Sequence, residues 1–309
     1  MADQDGDALV VADVARFEEM THQVGGHATA KNSLKSFGGK ILKPFQNKRR
    51  GEREHEFYEQ VFRSDEGVKP TLERLRSLIP GYHGMVVVPT GDHLGAASED
   101  AGSESRDGKH LVMDDLTYGR LWPCIMDVKV GTRSYEQDAS AEKIAYEKQK
   151  FALQEAVGFR IQGIKVFAPA QEQYVEFDKH FGRQVRSPED LVPAFGKFFS
   201  TYEHDKGTVA VLLRAFVSRL EQFKLWFDEQ QELEFIASSL LFLYNGAVEG
   251  GACGDDVTLE RALSPDIRLI DFAHVTHRPS HALQRDDGVC KGIATTIQCF
   301  QELLKQVGQ

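Results

Sequence analysis

The stretch Pro123-Cys124-Ile125-Met126-Asp127-Val128-Lys129-Val130-Gly131 decides how the rest of the chain reads. It is apolar enough for a buried strand, yet it carries two opposite charges two positions apart. Alternate residues of a strand share a face, so Asp127 and Lys129 point the same way. A charge on a buried strand is costly unless it is paired or meets a ligand or metal. A second run, Arg268-Leu-Ile-Asp271-Phe-Ala-His274, repeats the pattern, with a carboxylate among apolar neighbours and a histidine three further on. One such strand is well explained by a structural ion pair or a carboxylate bonded to backbone. Two of them, in a chain with a separate cluster of cations, favour a site.

That cluster lies at 40–53, where Lys40, Lys43, Lys48, Arg49, Arg50 and Arg53 face a single acid, Glu52. The 309-residue chain as a whole carries a net charge of −10, so the concentration of positive charge is local. A generic nucleic-acid binder would be basic overall, and none is expected as a partner. The bland alternatives for the run are a solvated loop or a nuclear import signal. No apolar stretch approaches the ~20 residues that span a bilayer, so stable membrane insertion is not expected. Met1 to Asp7 is acidic and polar, unlike a signal or transit peptide, and a location in the cytoplasm, the nucleus or both is expected. Cys124, Cys253, Cys290 and Cys299 form no CxxC pair. A zinc site or disulfide framework is therefore not indicated, and buried or incidental thiols are the expectation.

Working outward from the Pro123 run, residues 1–24 read as a polar lead-in, and Gly25-Gly26 and Gly38-Gly39 punctuate short β-like runs. Gly38-Gly39 suits a hairpin turn into Lys40-Ile-Leu-Lys43. Glu52 to Phe62 reads as a helix with Phe57, Tyr58, Val61 and Phe62 on one face. Residues 91–109 are rich in Gly, Ser, Asp and Glu and read as a loop. His110 to Met113 is a strand ending at Asp114-Asp115, and Ser140 to Glu155 a helix. Gly158 to Phe167 alternates as a strand, with one phase slip between Ile161 and Ile164. Ser187-Pro188-Glu189 is a helix start, and Val211 to Gln230 an amphipathic helix. Phe235 to Tyr244 reads as one continuous strand carrying Ser238-Ser239, residues 246–264 as a flexible insertion, and Ile267 to Val275 as a further strand. Val289, Ile293, Ile297, Phe300, Leu304 and Val307 mark a last helix. The order is α+β in two lobes, with 25–116 as the first, 117–309 as the second, and the join near Asp114 to Trp122.

Phosphoryl transfer fits these parts. It needs a carboxylate for magnesium, a lysine for nucleotide phosphates and cations for the acceptor. Asp271 suits the metal. Lys43, on a β-run followed by a helix, suits the nucleotide, with Glu54 or Glu56 as its partner. The chain has no Gly-x-x-x-x-Gly-Lys-Ser/Thr and no His-Arg-Asp followed by Asp-Phe-Gly, which argues against P-loop enzymes and ordinary protein kinases.

The Pro123 run resembles the Pro-x-x-x-Asp-x-Lys-x-Gly signature of the inositol polyphosphate kinases. Three more stretches resemble that family in the same order. They are Leu42-Lys43-Pro-Phe-Gln46 with Arg50-Gly and Glu56-Phe-Tyr58, then Ala237-Ser238-Ser239-Leu-Leu-Phe242, then Ile270-Asp271-Phe-Ala-His274. The resemblance implies a protein-kinase-like two-lobed fold with ATP and Mg2+ between the lobes. It implies that Lys43 holds nucleotide phosphates, that Asp114 and the backbone of Leu116 meet adenine, and that Ile41, Ile125 and Ile270 sandwich the base. Asp127 would bind the ribose hydroxyls, and Asp271, with help from Ser239, the magnesium. Lys129 would contact acceptor phosphates or the group in transfer, and Gln46, Arg50, Lys143 and His274 would line the inositol pocket. An inositol polyphosphate is then the expected substrate, for a chain expected to act as a monomer. Within the family, the lysine stretch and the Pro123 run resemble the multikinase branch, which acts on inositol tris- and tetrakisphosphates. Gly131-Thr-Arg and Asp138 to Lys143 resemble the hexakisphosphate kinase branch. Tyr146-Glu147 stands where multikinases often carry glutamines, and a glutamate there would repel a polyanion. A non-catalytic inositol phosphate sensor and a phosphoinositide kinase are the competing readings. The presence of Lys43, Asp127, Lys129, Ser239 and Asp271 together argues against a degenerate site.

Overall fold

The computed structural model describes residues 16–24, 33–47, 49–63, 69–88, 108–248 and 255–308. Gly25-Gly26, Lys48 and Cys253 lie outside these, as do most of 1–24, most of 91–109 and residues 249–254 of the later insertion.

The first sheet is built from β1 (Glu18–Glu19), β2 (Lys35–Phe37), β3 (Lys40–Pro44), then, after the helices α1 (Arg50–Phe62) and α2 (Pro70–Leu75), β4 (Tyr82–Val87) and β5 (Lys109–Asp114). Their order across the sheet is β1-β2-β3-β5-β4. Gly38-Gly39 turns β2 into β3 with φ of 58° and 81°. Two successive left-handed residues match the twist of a tight hairpin and strain any side chain. Alternation along β3 positions its lysine. Leu42 packs with Phe17 and Val112 in a small outer cluster, so Ile41 and Lys43 face the other way. On that side Phe57, Tyr58 and Val61 of α1 join Leu111 and Met113 in the main core.

Residues 115–122 lead to β6 (Pro123–Val130), followed by α3 (Ala141–Lys150), α4 (Gln154–Val157), β7 (Phe159–Ala168) and β8 (Gln173–Phe177). The helices α5 (Lys179–Gln184), α6 (Leu191–Gly196) and α7 (Lys206–Glu229) come next, then β9 (Leu233–Phe235) and β10 (Ser239–Asn245). The chain closes with α8 (Asp256–Leu263), β11 (Asp266–Ile270), β12 (Val275–His277) and α9 (Asp287–Val307). The second sheet runs β11-β10-β6-β7-β8, and β12 pairs with β9. One face of β6, carrying Cys124, Met126, Val128 and Val130, belongs to the main core together with α7 and α9. Phe242 of β10 meets Phe216 of α7 at 5.6 Å and Phe300 of α9 at 5.7 Å between ring centroids. Truncating such a buried ring costs about 3–5 kcal/mol.

The opposite face carries Ile125, Asp127 and Lys129. Register puts Ile270 beside Ser239, Ser239 beside Lys129, and Lys129 beside Arg160, in one row across four strands. The phase slip in β7 is a bulge: Asp127 pairs with Gly163 and Val128 with Ile161, leaving Gln162 as the extra residue. Without it, alternation would turn Arg160 into the apolar face. The start of β7 is pinned to α9. A Cβ on Gly158 would lie 2.4 Å from the Gly292 nitrogen, and one on Gly292 would lie 2.1 Å from the Gly158 oxygen. Only glycine allows two backbones this close.

Four elements differ from the sequence reading. The helix from Ser140 stops at Lys150, because Phe151 leaves it in an extended conformation and is buried, and α4 begins afresh. The strand expected from Phe235 to Tyr244 breaks at Ala237, whose φ is 59°, and resumes at Ser239. The strand from Ile267 stops at Ile270 because Asp271 is left-handed, with φ of 68°. Within the insertion, Asp255 caps α8 by accepting from the Thr258 amide, and Leu263 is buried. Cys124, Cys290 and Cys299 are free and buried. No helix among the described residues is long and apolar enough to cross a membrane.

Candidate active site

The site begins with Lys43. Its Nζ donates to Glu54 Oε1 at 2.8 Å and to Asp271 Oδ1 at 2.7 Å. Glu54, not the exposed Glu56, is therefore the helix partner. Glu54 is almost wholly buried, and its Oε1 also accepts from the Phe272 amide at 3.2 Å. Burial opposes the charge on Lys43, but the carboxylates of Asp271 and Glu54 hold its pKa above the ordinary lysine range. Asp271 keeps 37% of its side chain open. Desolvation works against its charge, while Lys43 and Lys129 hold its pKa below the usual carboxylate range. A left-handed aspartate costs about 1–3 kcal/mol and persists only where its surroundings fix it. Here Ser238 Oγ donates to its carbonyl at 2.8 Å.

The second sheet supplies the facing wall. Asp127 is buried, and burial together with Asp271 pushes its pKa up to about 7. Its Oδ1 and the Oγ of Ser239 are buried oxygens that make no close hydrogen bond, although the Ser239 hydroxyl lies near enough to work against that rise. Native proteins rarely leave such atoms unanswered unless a ligand, ion or water meets them. Lys129 Nζ donates to Ala237 O at 2.8 Å, the carbonyl that the break before β10 turns outward. Burial lowers its pKa.

Gln46, Arg50, Asp127, Lys129, Lys143, Ser239, Asp271 and His274 all line one cavity of about 560 Å³. Sequence reasoning thus named eight of its walls. Lys43 stands behind Asp271 rather than in the lining. Ile41 shares a face with Lys43, Ile125 shares one with Asp127, and Ile270 precedes Asp271. The Asp114 carboxylate is engaged by the Gly81 amide at 3.0 Å and His83 Nε2 at 2.7 Å. The Leu116 carbonyl accepts from Arg120 Nε at 2.8 Å.

The cavity also holds residues the sequence did not single out, among them Lys150, Arg160, Gln162, Lys165, Lys179 and Arg183. The phase slip was the available signal for Arg160, since it shifts that residue onto the face of Lys129. Glu136, outside the lining but bonded to His274, had no signal: its Oε1 joins Arg53 Nη1 at 2.8 Å to His274 Nδ1 at 3.0 Å, contacts from three distant segments. Glu147 does line the cavity, but its Oε1 pairs with Lys143 and with Lys150 Nζ at 2.8 Å. Burial opposes its charge, and those two lysines still hold its pKa low. Its repulsion toward an anion is therefore offset locally.

A sequence profile described as inositol polyphosphate kinase matches residues 110–301. The human inositol polyphosphate multikinase is 36% identical over 74% of this chain and 51% of its own. The Arabidopsis thaliana inositol polyphosphate multikinase beta is 29% identical over 93% of each chain. The chain thus spans about half the length of the human relative and nearly all of the plant one. The crystal structure of the S. cerevisiae inositol phosphate multikinase, in complex with ADP and Mn2+, superimposes with a TM-score of 0.64 at 25% identity, covering 86% of this chain and 100% of that one. The α+β kinase-like fold is shared, Lys43 of the first sheet bonds Asp271 beside the end of the second, and the profile covers more than half of the chain: it belongs to the inositol polyphosphate kinase family.

Proposed function

We propose that this protein transfers the γ-phosphoryl group of ATP to a hydroxyl of an inositol polyphosphate. The carrying observation is that Asp271, tied to Lys43, opens into a cavity where eight lysines and arginines outnumber five aspartates and glutamates, in a chain of net charge −10. Positive charge gathered there against the overall balance suits a polyanion. In phosphoryl transfer the protein acts mainly by positioning and by stabilising charge. Lys43 holds nucleotide phosphates, and Asp127 offers its unanswered oxygen to ribose hydroxyl donors. Asp114 and Leu116 meet the adenine edge, and Ile41, Ile125 and Ile270 its faces. Residues 25–116 then form the nucleotide lobe and 117–309 the acceptor lobe.

Mg2+ fits the donor set. It keeps several waters and takes one or two carboxylates plus substrate phosphates rather than a full protein cage. Among the described residues no group of three acidic, histidine or cysteine side chains forms a cage. Asp271 and the unpartnered Ser239 Oγ would hold the ion, which when bound neutralises charge on the transferring phosphates. Lys129 meets the group in transfer or an adjacent acceptor phosphate, and Gln46, Arg50, Lys143 and His274 orient the ring.

Multikinase-like action on inositol tris- or tetrakisphosphate is the preferred reading, supported by the relatives that span most of the fold. The extra cations beyond Lys129 favour hexakisphosphate kinase action as the second. We place the protein in the cytoplasm or nucleus, as a monomer. Incubation with labelled ATP, Mg2+ and a panel of inositol phosphates, followed by product separation, tests the reading. Acceptor-dependent ADP release is expected, and release no faster than without acceptor for every member would reject it.

A further inference from the structure

Beyond the row from Asp271 to Lys129, the cavity has a wall made of donors. Arg160 is only 4% exposed, and its Nε and Nη1 have no hydrogen-bond partner. Gln162 Nε2 and Arg183 Nε, which line the same cavity, are also buried and unanswered. The placement is built into the backbone. The β7 bulge turns Arg160 to the cavity, and α5 lies against β7 so closely that a Cβ on Gly182 would sit 2.1 Å from the Ile161 oxygen. That approach brings Arg183 to Arg160. Glu147 and Asp127 favour the charge on Arg160 while burial and Arg183 oppose it, and buried guanidinium N–H groups that make no hydrogen bond remain costly to keep. An anion arriving from outside removes the cost.

The register says where this anion sits. Ile270, Ser239, Lys129 and Arg160 are neighbours across β11, β10, β6 and β7. Strands lie ~4.8 Å apart, so Arg160 is roughly 14 Å along the sheet from the strand end that carries Asp271. A group held there is remote from the reacting hydroxyl. Lys129 already offers a cation one strand nearer to Asp271.

We propose that Arg160, with Gln162 and Arg183, forms a further phosphate subsite that selects acceptors carrying an additional ring phosphate, favouring highly phosphorylated inositols over trisphosphates. This rests on the kinase reading above, and the test separates the two. Arg160→Leu and Arg160→Lys are compared with wild type by calorimetric titration of inositol hexakisphosphate without nucleotide, and by KM for tris-, tetrakis- and pentakisphosphate acceptors. Losing a paired guanidinium is expected to weaken hexakisphosphate binding roughly 10- to 100-fold in Arg160→Leu and less in Arg160→Lys. The KM for the most phosphorylated acceptor should rise by about as much, while that for trisphosphate and for ATP changes less than about threefold. A ligand role also predicts that the Tm of the free Arg160→Leu protein is unchanged or raised, because a buried unpaired charge is gone. Equal loss for every acceptor, or hexakisphosphate binding like wild type, would overturn the subsite. If wild type turns over no inositol phosphate but Arg160→Leu still loses hexakisphosphate, the kinase reading falls and the subsite stands. A short-chain phosphoinositide of fewer ring phosphates should bind wild type and variant alike. A loss as large as for hexakisphosphate would place a lipid headgroup on Arg160 and overturn the proposed preference.

Discussion

The lysine side of the cleft and the acceptor side handle charge in opposite ways. Around Lys43 the chain answers itself: Glu54 and Asp271 take the ammonium, and the Phe272 amide takes Glu54 again. Around Arg160 the chain leaves donors unanswered: Nε and Nη1 make no hydrogen bond, although the carboxylates of Glu147 and Asp127 favour its charge. The first arrangement is set before any ligand arrives, which suits a part every substrate must meet in the same geometry. The second is completed only from outside, which suits discrimination among acceptors. Substitutions on the closed side should therefore strike rate and stability, and those on the open side should strike choice.

The largest effect is expected from Asp271→Asn. Loss of the metal carboxylate should slow acceptor-dependent ADP release about a thousandfold, or ~4 kcal/mol of transition-state stabilisation. Turnover within tenfold of wild type would remove Asp271 from that role. Next, Lys43→Met leaves Glu54 buried without its cation. Urea unfolding should show a loss of about 3 kcal/mol, and adding Glu54→Gln should restore a good part of it. A double variant as unstable as the single would mean that the pair is not what holds the two elements together.

Asp127 gives a smaller effect of opposite sign. Its pKa is pushed from an ordinary 3.8 to about 7 by burial and by Asp271. Between those values the folded protein holds a proton that the unfolded chain has released, so stability falls as pH rises through the window. Asp127→Asn should therefore stabilise the ligand-free protein at pH 8. The linkage allows up to about 4 kcal/mol, less about 1–3 kcal/mol for a buried amide left partly unpaired. The gain should vanish near pH 4, while nucleotide affinity is lost at every pH. Thermal melts of both proteins from pH 4 to 8 check this, and a constant offset would contradict the titration. The smallest change belongs to Glu136→Gln, which loosens a link between half-exposed Arg53 and His274. Unfolding free energy should move by less than about 1 kcal/mol, and the acceptor KM by a few-fold at most.

The alternation in the Pro123 run and the phase slip after Ile161 were legible because strand parity is local. The two breaks that shape the site were not. Ala237 and Asp271 stand in runs as apolar as any strand, and nothing in their side chains demands a positive φ. Their conformations are imposed by partners far away in sequence, through Lys129 on the Ala237 carbonyl and Ser238 on that of Asp271. For the same reason Glu136 reads as an ordinary loop acid until Arg53 and His274 arrive beside it. The motifs did single out side chains that line the cavity. They could not reveal which of them the chain would leave unanswered, because that depends on the packing of α5 against β7.

The contact between Gly158 and Gly292 carries a consequence for inheritance. Arg160 lies two residues beyond this clasp, and the Gly158 carbonyl also accepts from the Gly131 amide at 2.7 Å, where the Pro123 run ends. A methyl group at either glycine would shift the start of β7 and move Arg160 relative to Lys129. Lineages that drift at the back of the second sheet could thus change their preferred acceptor without altering one cavity residue. A genetic screen for altered acceptor choice should return hits in α9 as well as in the pocket.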